Sequence, residues 1–415
     1  MFDRIKKGND DIMTHDKNNK RCFLYGGLDN ILFWDELDTR DMTLTRGGQV
    51  DLAANIQFAA RSADGRFLYV VVSDAGSGTT GAAGTIHGLQ VMEIGAENGS
   101  LSLKGEYYPL PERPIHISLD KTGRYAAVSF NKSGQIRLYR LDDDGSVTGE
   151  VEQDVPLKAG IFTHQAVFSS DQKHIITVSR GNTPQEGKPE ERGEVSVFSF
   201  SSETGRAVFE GRSEFPVEFG PRHLIFSADH KWGYLAIERG SMIFTYALKN
   251  GLLDGASLFR TETLQSLSNR TAVRQRGGVG VLHPNGKYLY VSNRADKTET
   301  YQGQDRLVAG ENNIAIFKLD EQTGEPKLMG RSSCHGAESR NMVIDPTGTV
   351  FIAVNQKSMH VPDGDGWRFE PACLSVFQIM SEGNLSFVRR YDLHEQGNWL
   401  SWAELYPLGG AHNEC

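Results

Sequence analysis

PNGKYLYVSNR, residues 284–294, sets the reading of the whole chain. A Pro-Asn-Gly turn delivers a basic residue and then a run rich in β-branched and aromatic residues, the pattern of a tight hairpin feeding a strand. The signature occurs five more times, as ADGRFLYVVVS (63–73), KTGRYAAVSFN (121–131), SDQKHIITVSR (170–180), ADHKWGYLAIER (228–239) and PTGTVFIAVNQ (346–356). Arg66, Arg124, Lys173, Lys231, Lys287 and Thr349 mark equivalent points, separated by 58, 49, 58, 56 and 62 residues. A period of that length is one supersecondary unit of four strands with generous loops.

An apolar strand precedes each turn, as in RPIHISLD, HQAVFSS and RHLIFSA, and another follows the second strand, as in QIRLYRL (135–141), EVSVFSF (194–200) and LSVFQI (374–379). Gly-containing polar stretches such as DDDGSVTGE then turn the chain into an outermost strand. Each unit reads inner, middle, middle, outer. The expected fold is all-β, a seven-bladed propeller with four antiparallel strands per blade. The seventh blade is made from KRCFLYGGLDNILFWDEL near the start and SFVRRYDLHEQGNWLSWAEL near the end, a closure that removes exposed sheet edges. The boundaries expected are a flexible lead over 1–19, one propeller over 20–405 and a tail over 406–415. Two polar, Gly-rich insertions, Asp296–Glu311 and Ser358–Pro371, read as rim loops.

A net charge of −9 argues against a nucleic-acid surface. No apolar run is long enough to span a membrane, and the first residues lack the apolar stretch of a secretory signal, so a cytoplasmic protein is expected. Cys22, Cys334, Cys373 and Cys415 show no CxxC pairing and read as free thiols. No phosphate-binding glycine loop occurs, so no nucleotide cofactor is indicated.

His164-Gln-Ala-Val-Phe, Gly220-Pro-Arg-His-Leu, Ala236-Ile-Glu-Arg, Val291-Ser-Asn-Arg with Asn313-Ile-Ala-Ile-Phe, and Ser339-Arg-Asn-Met-Val-Ile-Asp-Pro-Thr-Gly give the chain its resemblance to a known family. In this order they resemble the seven-bladed-propeller lactonases, which include bacterial 6-phosphogluconolactonase and the fungal carboxy-muconate lactonizing enzyme. The resemblance implies an active site of His164, Arg222, Glu238 and Arg294. The stretch GGVGVLHP and the insertion after Arg294 depart from the family pattern.

The chemistry of those residue types is consistent with that site. His164 and Arg222 begin inner strands, while Glu238 and Arg294 end second strands, so all four should meet at one mouth of the central channel. A lactone hydrolase needs a base for water and cationic groups for the oxyanion. His164 would be the general base or acid, Glu238 its partner or an alternative base, and Arg222 and Arg294 a clamp for a carboxylate or phosphate. His223, Arg340, His116 and Asn293 are further candidates for substrate contact. The bland alternative has Arg222 bridging to Glu238 and Arg294 capping a turn. A divalent ion is a rival reading, with Asn131, Asn293 and Asn355 ending equivalent strands. Asparagine is common at such turns, however, and no second carboxylate joins Glu238, so no metal or other cofactor is expected. The partner expected is a small anionic lactone. Run in reverse the same groups make a cycloisomerase, and a non-catalytic binding platform would instead display an exposed apolar patch. The sequence is silent on oligomeric state.

Overall fold

The computed structural model describes residues 21–76, 81–183, 189–267, 275–295, 297–393 and 399–408. Among them the chain forms strands and no helix, and therefore no helix long and apolar enough to cross a membrane. The expected lead over 1–19 and most of the expected tail, including Cys415, lie outside the described residues.

Blade one combines β1 (Cys22–Leu28), β2 (Ile31–Asp38) and β3 (Thr43–Asp51) with β33 (Leu400–Pro407), which pairs antiparallel with β1 as the innermost strand. Ends of the chain thus close the ring, as the sequence implied, and the closing strand runs to Pro407, past the boundary expected at 405. Blade two is β4 (Ile56–Arg61), β5 (Phe67–Ser73) and β6 (His87–Ile94). Its outer edge is split between β7 (Leu101–Leu103) and β8 (Tyr108–Pro109). Blade three is β9 (Pro114–Leu119) through β12 (Val147–Glu150), blade four β13 (Thr163–Phe168) through β16 (Ala207–Phe215), and blade five β17 (Pro221–Phe226) through β20 (Leu252–Glu262). Blade six joins β21 (Gln275–Leu282), β22 (Tyr288–Ala295), β25 (Asn313–Leu319) and β26 (Pro326–Ser333). Blade seven joins β27 (Ser339–Ile344), β28 (Val350–Asn355), β31 (Cys373–Ile379) and β32 (Leu385–Asp392).

Packing follows from the strand sequences. Second strands such as β5 and β10 (Tyr125–Phe130) are buried at every residue, because they lie between two neighbouring blades, and outer strands are largely exposed. Clusters such as Phe67, Tyr69, Val71, Ile117 and Val128 fill the space between adjacent blades. A tyrosine of the inner three strands also ties each of several blades to the next. Tyr25, Tyr69 and Tyr290 donate their hydroxyls to the carbonyls of Gly99, Gly145 and Gly383 at 3.0, 3.1 and 2.8 Å, each in the outer hairpin of the following blade. A buried phenol needs such an acceptor, and this one also sets the blade-to-blade spacing. Cys22, Cys334 and Cys373 are buried free thiols.

The two insertions are not loops. β23 (Thr298–Tyr301) and β24 (Gln304–Leu307) form one hairpin, and β29 (Met359–Asp363) and β30 (Gly366–Glu370) another. They join through a parallel bridge, Arg306 to His360, into an eighth sheet appended to blades six and seven. Polar, Gly-rich composition hid these strands, yet Leu307 and Met359 bury themselves against Ala295 and Ala337. Arg306 lies over Tyr301, 3.9 Å from its ring centre, and 5.0 Å from that of Trp367.

Candidate active site

In all seven blades the register between inner and second strand slips beside the start of the inner strand. The residues left without a partner are Ser401, Gln57, Ile115, His164, Arg222, Gly278 with Val279, and Arg340. An extra residue at a bulge re-aims its side chain, here out of the space between blades and toward the axis. All of these but Gly278 border a central cavity of about 360 Å³. One repeated backbone irregularity therefore builds the ring that holds His164, Arg222 and Arg340.

Blade six departs from the others by using glycines. A Cβ on Gly278 would lie 1.9 Å from Ser292 Oγ, and one on Gly277 would lie 2.7 Å from the Ile237 carbonyl. Gly277 is thus required by close backbone approach to blade five, and Gly278 by the Ser292 side chain on the neighbouring strand of its own blade.

Behind the ring lies a charged layer. Glu238, 1% exposed, follows β18 (Trp232–Ile237) and meets four arginines. Arg180 and Arg276 reach its Oε1 at 2.6 and 2.8 Å, and Arg222 Nε and Arg294 Nη2 its Oε2 at 3.0 and 3.2 Å. The Arg222 contact is an ion pair whose N–H does not point at the oxygen. Arg294 also reaches Glu338 at 3.1 Å. Burial alone would raise the Glu238 carboxyl, but the four guanidiniums outweigh it and hold the group well below the usual carboxylate range. Two carboxylates among so many arginines leave this end of the channel with surplus positive charge.

The structure brings together the four residues of the implied site and sorts them into two layers. His164 and Arg222 border the cavity, whereas Glu238 and Arg294 do not. Caged as it is, Glu238 is fitted to orient guanidiniums rather than to accept a proton. His116, His223 and Arg340 also border the cavity. Asn293 does not: it is fully buried, receives Thr263 Oγ1 at 2.6 Å, and donates to the Thr263 carbonyl and to Asn313 Oδ1 at 2.9 and 2.8 Å. Its amide braces Thr263 and Asn313 and does not reach the cavity wall. Asn355 is likewise committed, to the Cys334 carbonyl and Ser375.

Burial, then the Arg222 charge, pushes His164 well below its ordinary value, so the imidazole is neutral. Burial lowers His116 and His223 to about 3 each. His116 packs against Phe58 with ring centres 4.3 Å apart and the planes tilted by 31°. Burial, then the neighbouring Arg294 and Arg113, lowers Arg340 to about 10, still charged at neutral pH. With the Gln356 amide turned so that its oxygen accepts, Arg340 Nη1 donates to it at 2.9 Å.

Three contributors escape a reading of the sequence. Arg180 ends the quoted SDQKHIITVSR segment at the position Glu238 holds one blade on, and that equivalence was the available signal. Arg276 carried none. Glu404, on the closing strand, borders the cavity from blade one. Among the described residues no group of three or more His, Cys, Asp and Glu side chains is placed to hold a metal ion.

A model of the family described as "Lactonase, 7-bladed beta-propeller" matches residues 30–362, and the chain belongs to that family. A 6-phosphogluconolactonase of Formosa agariphila is 25% identical over 325 residues, spanning 75% of this chain and 82% of that one. One of Bacillus subtilis is 21% identical over 341 residues, spanning 80% and 86%. Among solved structures, the periplasmic gluconolactonase of Pseudomonas aeruginosa superposes with a TM-score of 0.71 at 20% identity, over 93% of this chain and 99% of that one, which shows a shared fold.

Proposed function

We propose that this chain hydrolyses a small lactone bearing an anionic group, bound at the ring of His164, Arg222 and Arg340. The observation that carries the reading is the fixed pair of guanidiniums bordering the cavity. Arg222 is held by its Nε–Glu238 ion pair on one side, and its side chain borders the cavity on the other. A guanidinium anchored on one side and open on the other is preorganised for a carboxylate or phosphate. Neutral His164, bordering the same space, can orient water or the lactone without competing for the anion. Water adds to the acyl carbon, the oxyanion that forms is stabilised by nearby positive charge, and the acyl to ring-oxygen bond breaks to give a hydroxy acid. A sugar phosphate is the favoured substrate, supported by the names of the two curated relatives and by the arginine surplus.

The test is turnover of a panel of neutral, carboxylated and phosphorylated lactones by wild type and His164→Ala, corrected for spontaneous opening. No turnover by wild type, or undiminished turnover by the variant, overturns the reading.

A further inference from the structure

We propose that Glu404 is the catalytic residue that takes the proton of the attacking water, and that substrate lies along the axis between it and the arginine ring. The inference rests on the lactonase reading above. Among the residues bordering the cavity Glu404 is the one carboxylic acid. No ion pair holds it among the described residues, in contrast to the four that hold Glu238. A base must be free to accept a proton, and of Glu238 and Glu404 only Glu404, which is partly exposed and borders the cavity, meets that condition.

Its place in the fold adds direction. Glu404 is three residues beyond Ser401, the bulged residue of blade one, and so lies deeper than the ring by on the order of 10 Å at strand rise. In a seven-membered ring blade one stands opposite blades four and five, which supply His164 and Arg222. A lactone held by its anion at the ring then presents its acyl carbon toward Glu404 only if anion and acyl carbon lie at opposite ends of the molecule. The reaction balances: Glu404 removes a proton as water oxygen bonds the acyl carbon. It then returns that proton to the ring oxygen as the acyl to oxygen bond breaks, leaving a hydroxyl and a carboxylic acid.

Charge around Glu404 suits the role. The ionisable side chains on strands packed against β33 are Cys22 and Tyr25 on β1, Arg61 on β4 and Arg340 on β27, with Tyr406 on β33 itself. Burial raises the Glu404 carboxyl to about 7, opposed only by the Leu405 amide. A carboxylate with that affinity is a stronger base than an exposed one and is half ionised near neutral pH.

The experiment is the pH dependence of kcat and KM for wild type, Glu404→Gln, Glu404→Asp and Arg222→Lys on a distally phosphorylated lactone, each variant's fold checked by thermal melting. Wild-type kcat is expected to fall as pH drops through about 7. Glu404→Gln should lose roughly 10²- to 10³-fold in kcat and the acidic limb with it, at nearly unchanged KM. Glu404→Asp should keep a limb at reduced kcat, and Arg222→Lys should raise KM with the limb intact. A Glu404→Gln enzyme with wild-type kcat and pH profile overturns this inference alone. Wild type inert on every lactone overturns the lactonase reading, and this inference falls with it.

Discussion

Arg222 Nε lies 3.0 Å from Glu238 Oε2 while the same side chain borders the central cavity. The pair joins the two layers of the site: an acid held behind the ring, and a buried guanidinium that borders the cavity.

Discrimination by charge follows. Arg222→Ala or Arg340→Ala should lower kcat/KM for an anionic lactone about ten- to a hundredfold, the worth of a charged hydrogen bond of roughly 1.5–3 kcal/mol. A neutral lactone of the same ring size should lose much less. Steady-state kinetics on matched pairs of substrates measures the ratio.

Glu238→Gln keeps the shape and removes the charge that four guanidiniums share. Breaking a buried network on one side costs about 3–5 kcal/mol, which should appear as a lower denaturation midpoint. Because Arg222 loses its tether, KM for anionic lactones should rise as well.

Histidines held neutral in the fold weaken it in acid, His116 and His223 among them. His116 and His223 titrate at about 3 in the folded chain against an ordinary 6.5. The unfolded chain therefore takes up protons the folded one refuses, and stability, complete above 6.5, is lost as pH falls toward 3. Glu404 works in the opposite direction: its carboxyl sits at about 7 against an ordinary 4.5, so its contribution is complete below 4.5 and lost as pH rises through 7. Urea unfolding should show His223→Asn with a shallower acid decline, and Glu404→Gln with a gain over wild type at pH about 8 and none at pH about 4.

Gly278→Ala should be strongly destabilising, because its Cβ would meet Ser292 Oγ at 1.9 Å and the Ser339 carbonyl at 3.1 Å. Gly278→Ala combined with Ser292→Gly should recover part of the loss, read as melting temperatures of the three variants.

The appended sheet should open before the propeller does. It is held by the small cluster of Leu307, Met359, Ala295 and Ala337 and by the Lys357–Asp305 ion pair at 3.0 Å. Met359→Ala should speed amide exchange in the two hairpins while that of β22 and β28 stays slow.

The seven-fold repeat was legible because each hairpin turn restates its own chemistry: Gly65, Gly123, Gly286 and Gly348 all carry positive φ where the sequence places Asp-Gly, Thr-Gly or Asn-Gly. His164 and Arg222 were legible as inner-strand starts. The bulges were not, since one unpaired residue leaves the apolar alternation on either side intact, and with them went the split of the site into two layers. Asn293 misled because a strand-end asparagine looks the same whether it faces a ligand or braces Thr263 and Asn313. Glu404 was hidden in a segment whose evident task was closure. The insertions carry no strand signal in sequence because their few apolar anchors are scattered among polar residues.

The closing strand also makes the cavity depend on the ring. β33 supplies Ser401 and Glu404 to the cavity and pairs with β1, the most distant strand in the described sequence. Until that pairing forms, the pocket lacks one wall and, among the described residues, the one acid that borders it. A variant that loosens the β1–β33 seam should therefore lose binding at the cavity while the blades on the far side keep their packing.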